Sequence, residues 1–323
     1  MFFGRWPMGA RQLPLFESAD GREHRLTGRS TLAEAVVPFQ AYLRGEGKTQ
    51  NTLISFTSDM RVLTEFFGPD MALGKISTAR LNEFLHWLEH GRGIPCSRKS
   101  YARRVTTLKV FFKWLQEDQV RRDNPAEPIL QRSGPAPLQA ILTEAEIEQM
   151  LTYCESLAHA EKPDSRPYVL FKLLLDTGIK KSETVQMTVN DIERTNPRQP
   201  MLVIGHKNRQ NIFQERRIPL DPTWPAMLER YLTEHKPKGG RIFDCTARNL
   251  EYVLTDTAKA AGIASRMSFE TLRWTCAVRD YRAGMGLETL REKMGLSKIS
   301  WRETSQKIMR LAAGETMEEL AED

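Results

Sequence analysis

The sequence predicts a mainly α-helical protein of two domains, with one small antiparallel sheet in the second domain. Across residues 31–114, apolar side chains recur at helical spacing. Residues 124–138 contain four prolines and a glycine, a composition that ends helices and is typical of a linker. Beyond it, residues 201–204 and 213–220 have the pattern of strands, and helical spacing returns from Trp224.

The boundaries follow from these changes of pattern. We expect a flexible tail at 1–30, an all-α domain at 31–125, a linker at 126–140, a mostly helical domain with the sheet at 141–312, and an acidic tail at 313–323. Two helix starts carry the signature of a capping box, a Thr followed three residues later by Glu. These signatures are Thr31 with Glu34 and Thr143 with Glu146. The clearest helices are expected at 51–67, 81–88, 97–115, 168–175 and 181–187.

Composition limits the class of protein. The 323 residues carry a net charge of +6, which alone only weakly favours a nucleic-acid partner. The four cysteines form no CxxC pair, which argues against a zinc site or a disulfide scaffold. There is no apolar run of about 18 residues and no apolar core of a signal peptide near the N-terminus, so we expect a cytoplasmic protein.

One predicted helix is strongly basic. Residues 98–116 contain six cations and no acid, and five of the six share one side of a helical wheel while apolar residues fill the other. Cations at this spacing can follow DNA phosphates, although a solvated helix face is the alternative interpretation. The six are Arg98, Lys99, Arg103, Arg104, Lys109 and Lys113.

Four segments of the second domain carry recognisable motifs. They are LDTGIKKSE at 175–183, VIGHK at 203–207 with RRIPL at 216–220, SFETLRWTCA at 268–277, and MGLSKIS at 294–300. In this order and spacing they resemble the motifs of the tyrosine recombinase (phage integrase/Xer) family. The first domain is similar to the family's SAM-like core-binding domain, including KTQNTL at 48–53 and RDNP at 122–125.

The resemblance implies a double-stranded DNA partner and a site that uses neither a metal nor a nucleotide cofactor. In such a site a tyrosine attacks the scissile phosphate, two arginines and a lysine assist, and two histidines help to move protons. The matching positions are Lys180 for the first arginine, Lys207 for the lysine, Glu270 for the first histidine, Arg273 for the second arginine, Leu296 for the second histidine and Ser305 for the tyrosine.

Most of this chemistry is missing. No tyrosine follows Tyr281 and no histidine follows His235, so no shift of register restores the nucleophile or the imidazoles. We therefore expect a DNA-binding, catalytically degenerate member, interpreted as an accessory or regulatory subunit that works with active recombinases of a mobile element, or as a sequence-specific DNA binder. Arg216 and Arg217 are expected to contact DNA beside Lys207 and Arg273.

Two alternatives remain open at this stage: an active recombinase with a non-standard nucleophile, and a protein-interaction module whose DNA binding has also decayed. We also consider an ion pair between Lys180 and Glu270, which would be a structural contact in place of a catalytic one.

Both chain ends suggest further contacts. Residues 12–16 resemble peptides that dock on the bacterial sliding clamp, with stapling of the tail onto its own domain as the alternative; the side chains concerned are Gln12, Leu13, Leu15 and Phe16. The last helix could dock on a neighbouring protomer through Ile308, Met309, Leu311 and Leu320, or end in a free acidic tail.

Overall fold

The computed structural model describes residues 25–130, 138–205 and 215–314. The chain divides into two compact units, Met1–Pro135 and Ala136–Asp323. Several sequence predictions lie outside the described residues. These are the clamp-like peptide with Gln12, Leu13, Leu15 and Phe16, the hairpin residue Lys207, and the acidic tail that includes Leu320.

All regular elements in the described part of the first unit are helices. Its helices are α1 (Leu32–Gly45), α2 (Gln50–Phe67), α3 (Thr78–His90) and α4 (Arg98–Glu117). The capping box at Thr31 is confirmed, since the Glu34 amide donates to the Thr31 hydroxyl at 3.3 Å and Glu34 accepts from the Thr31 amide at 2.7 Å. Rings of α1 and α4 pack together in the core, with Phe39 and Phe111 centroids 5.0 Å apart.

The second unit combines helices with a three-stranded sheet. In chain order its elements are α5 (Glu144–Ala158), α6 (Arg166–Thr177), α7 (Lys181–Gln186), β1 (Ile192–Glu193), β2 (Met201–Ile204), β3 (Arg216–Pro219), α8 (Trp224–His235), α9 (Ala247–Ala260), α10 (Phe269–Arg282), α11 (Leu287–Lys293) and α12 (Lys298–Ala312). The antiparallel order is β1-β2-β3, and Leu202 pairs with Ile218. The predicted fold class, mainly α with a small antiparallel sheet, is confirmed.

Helix α10 lies at the centre of this unit. Nine of its side chains are buried, so it does not have the one-sided apolar stripe of a surface helix. The capping box at Thr143 is also confirmed, and it starts α5. Among the described residues, no helix combines the length and the apolar character that crossing a bilayer requires.

Candidate functional site

Helix α10 carries Arg273 inside the second unit, where the residue is 8% exposed. Its Nη2 donates to the carbonyl of Met294 at 2.5 Å, and its Nη1 donates to the carbonyl of Gly178. Burial lowers the pKa of this guanidinium, because desolvation disfavours its charged form. Both terminal nitrogens of the retained arginine are therefore bonded to the protein's own main chain.

The carbonyl that Gly178 presents depends on the glycine. Gly178 ends α6 in the left-handed conformation, with φ of +56°. A Cβ at this position would lie 3.2 Å from the Sγ of Cys276 on α10. The turn thus brings α6 close against α10 and places its carbonyl within reach of Arg273.

Lys180, at the position of the family's first arginine, precedes α7. Its amide donates to Glu183 at 2.7 Å, and its Nζ donates to the carbonyl of Gly295 at 3.3 Å. Burial lowers the pKa of this ammonium group, because desolvation disfavours its charged form. The side chain is therefore directed towards the turn after α11.

Arg216 was expected to contact DNA, but in the structure its side chain is buried and paired with Glu183. Its Nη1 and Nη2 donate to the two carboxylate oxygens of Glu183 at 2.9 and 2.8 Å, and both side chains are only 5% exposed. Burial opposes ionisation of Glu183, but these hydrogen bonds outweigh it and lower the pKa of the carboxyl group. By contrast, Arg217 is 62% exposed and pairs with Glu193 across the sheet.

Three consecutive carbonyls at the end of α11 bind three different cations. The carbonyl of Lys293 accepts a hydrogen bond from Arg216 Nε at 2.7 Å. The carbonyl of Met294 accepts from Arg273, and that of Gly295 accepts from Lys180. The last carbonyls of a helix have no partner within the helix and carry partial negative charge, so they attract cations. We call residues 293–295 the carbonyl turn. It supplies oxygen acceptors to the cations around Glu183.

The glutamate at the first histidine position also has a local partner. Glu270 is exposed and accepts a hydrogen bond from the indole of Trp274 at 2.9 Å, one helical turn along α10. In the described part of the chain, no ion pair joins Glu270 to Lys180. The ion pair between Lys180 and Glu270 that we considered from the sequence is therefore not present in the structure.

The remaining two positions face the protein interior. Leu296 is partly buried against the apolar cluster formed by α10, α11 and α12. Ser305, on α12, is 9% exposed, and its hydroxyl donates to the carbonyl of Arg302 at 3.2 Å. The hydroxyl is thus engaged in its own helix, like many mid-helix serines.

The basic helix α4 is only partly free to meet a partner. Asp59 of α2 is 4% exposed and accepts from Arg103 at 2.7 Å and from Thr107 at 2.8 Å; Arg104 lies 3.5 Å away. Burial raises the pKa of Asp59 against the opposing effect of these contacts. Asp59 was not among the residues predicted from sequence, because nothing in the sequence pattern of α2 distinguishes it from the other acid of that helix, Glu65.

The other cations of α4 are at the surface. Arg98, Lys99 and Lys113 are exposed and Lys109 is partly buried, while Lys113 lies 3.7 Å from Glu117. An exposed ion pair of this length contributes little and is readily exchanged for another partner. Helix α4 therefore presents a cationic strip that starts at its N-terminus.

Comparison with protein families identifies both units. The model of the phage integrase family matches residues 140–304, and that of the phage integrase N-terminal SAM-like domain matches residues 36–119. The chain belongs to the phage integrase family. The tyrosine recombinase resemblance drawn from the sequence motifs is confirmed, and the chain is thus a member of a DNA recombination family.

Named relatives of this phage integrase family member are tyrosine recombinases. It is 27% identical to tyrosine recombinase XerC of Staphylococcus saprophyticus over 266 residues, covering 78% of this chain and 84% of that protein. It is 26% identical to tyrosine recombinase XerD of Vibrio cholerae over 268 residues, covering 79% and 84%.

Solved structures agree on the fold of this family member. A lambda integrase dimer bound to a COC′ core site aligns with a TM-score of 0.66 at 18% identity, covering 86% of this chain and 77% of that one. The XerH recombinase bound to palindromic difH substrate, a post-cleavage complex, aligns with a TM-score of 0.65 at 17% identity, covering 87% and 83%.

Proposed function

We propose that this phage integrase family member binds double-stranded DNA through phosphates without breaking it. In this proposal it serves as an accessory or regulatory subunit in the recombination or integration of a mobile element, together with active recombinases or further copies of itself. Its cationic α4 supplies DNA contacts, and its former catalytic centre holds the second unit together.

The environment of Arg273 carries the proposal. In the family reaction, this arginine would stabilise negative charge on the phosphate, which requires donors directed at that charge. Here Arg273 is 8% exposed and its terminal nitrogens are bonded to the carbonyls of Gly178 and Met294. A phosphate could occupy the guanidinium fork only by displacing the carbonyls of Gly178 and Met294, so the geometry favours a structural role.

The nucleophile position supports the same conclusion. Ser305 is buried and its hydroxyl is bonded to the carbonyl of Arg302, and the second histidine position holds Leu296. A serine needs a neighbouring base to attack phosphorus, and no histidine follows His235 in the chain. The reaction class of the relatives is therefore not expected of this protein alone.

The DNA-binding half of the proposal rests on α4. Exposed cations on one helix can neutralise phosphates and release counterions, which makes affinity depend steeply on salt. A family member with a matching N-terminal domain and DNA-bound structural neighbours fits this interpretation.

The test measures affinity for a mixed-sequence DNA duplex over a range of salt concentrations. We expect the triple variant Arg98→Ala, Lys99→Ala, Lys113→Ala to bind more weakly, with the slope of log K against log salt reduced by about two to three units. A matched control removes the same charge from exposed lysines of the second unit, Lys162, Lys238 and Lys259. Equal losses in both triple variants would contradict a DNA-binding role for α4.

The accessory role needs a separate assay. An active recombinase from the same host would be run on its own site with and without this chain. We expect the chain to change the yield or direction of recombination, and we expect the α4 triple variant to lose that effect. An unchanged yield at saturating chain would contradict the accessory role while leaving DNA binding intact.

A further inference from the structure

Helix α3 presents two histidines on one face. His86 and His90 are both exposed and lie four residues apart, so their side chains are neighbours along the helix. Their ring centroids are 4.6 Å apart and the ring planes are inclined by 46°. The two imidazoles are therefore adjacent, and solvent reaches both.

Within the residues that the structure describes, neither ring has a competing protein partner. Among residues 25–130, 138–205 and 215–314, no hydrogen bond or ion pair involves a ring nitrogen of His86 or His90. The two other described histidines differ, because His159 contacts Arg230 at 3.3 Å and His235 contacts Asp164 at 2.9 Å. The α3 pair alone combines proximity with unused nitrogens in the described part of the chain.

We infer that His86 and His90 form a surface site that chelates one divalent transition-metal ion of the Ni²⁺, Cu²⁺ or Zn²⁺ class. Metal–nitrogen bonds of about 2.1 Å, made by two imidazoles at adjacent coordination positions, hold the ring centres about 4.5–5 Å apart. The observed 4.6 Å lies in that range. Imidazole nitrogen suits these metals, whereas Mg²⁺ and Ca²⁺ prefer oxygen ligands.

The site takes two ligands from the protein. No group of three or more His, Cys, Asp and Glu side chains suited to a metal occurs among the described residues, so water fills the other coordination positions. Because α3 packs through Leu81, Phe84, Leu85 and Leu88, it holds the two histidine positions one helical turn apart before the metal arrives. The second nitrogen then binds at high effective concentration, and losing either ring should weaken binding by at least about tenfold.

The test titrates Ni²⁺ into the full chain, prepared without an affinity tag and stripped with a chelator. The variants are His86→Ala and His90→Ala, which keep α3 because alanine is the strongest helix former. The matched control is His159→Ala, which removes an exposed histidine that has no histidine neighbour on its helix. Unfolding curves without metal verify that all four proteins are equally folded.

We expect one Ni²⁺ site in the wild type and in His159→Ala, and at least tenfold weaker binding in each α3 variant. Cu²⁺ electron paramagnetic resonance gives a second readout, in which two nitrogen ligands in the wild type become one in either α3 variant. Unchanged Ni²⁺ affinity in His86→Ala, or Cu²⁺ spectra that do not respond to the α3 changes, would overturn the assignment.

Discussion

The buried pair between Arg216 and Glu183 is expected to be a main support of the second unit. Glu183→Gln keeps the shape of the side chain but removes its charge, leaving Arg216, Lys180 and Arg273 without the carboxylate at their centre. Removing one partner of a buried ion pair costs about 3–5 kcal/mol, and both side chains here are only 5% exposed. We therefore expect a loss of that size in the free energy of unfolding.

Urea denaturation combined with hydrogen exchange of α10 measures this loss in the second unit separately from the first. Arg217→Gln is the control, since its pair with Glu193 is at the surface and should contribute less than about 1 kcal/mol. Glu183→Gln with Arg216→Met should recover part of the loss, because no unpaired charge then remains. A Glu183→Gln protein within about 1 kcal/mol of wild type would show that the buried pair is not a main support of the second unit.

The buried contacts around Glu183 and Asp59 lead to three more expectations. Because the pKa of Glu183 is lowered in the folded protein, its ionised carboxylate contributes fully to stability above the ordinary glutamate pKa of about 4.3. That contribution is lost as the pH falls through the lower pKa of the folded state. Glu183→Gln should remove this part of the acid dependence of the unfolding free energy. Gly295→Ala places a Cβ 2.7 Å from Arg216 Nη1. It should therefore lower the free energy of unfolding, measured by heat or urea, by at least about 1 kcal/mol more than Gly284→Ala does. Gly284 also has a positive φ, +91°, but a Cβ there would meet no atom within 4 Å. Asp59→Asn should strengthen binding to a mixed-sequence duplex and steepen its salt slope by about one unit, because Asp59 no longer neutralises the arginines of α4; weaker binding would contradict this.

Local signals predicted much of the fold. The caps at Thr31 and Thr143 depend on residues three positions apart, and the helices of the first unit follow from apolar spacing, so both could be inferred from short windows. Strand β1 could not be inferred, because two residues are too few to show alternation. Its pairing with β2 depends on contacts made only in the folded unit.

The candidate site was less predictable, for a physical reason. Arg216 looked like a DNA contact because it lies in a basic strand, but its partner Glu183 is 33 residues away. Arg103 and Asp59 are 44 residues apart. Charge patterns in sequence give the number of cations, while only the folded chain shows which of them are already neutralised.

Covalent capture distinguishes a protein that only binds DNA from one that also cuts it. Duplexes that the protein selects from a randomised DNA pool would be rebuilt with a nick next to each possible cleavage position, so that any strand attack becomes irreversible. We expect salt-sensitive binding and no protein–DNA adduct that survives detergent. A covalent adduct formed by the purified chain alone would contradict it.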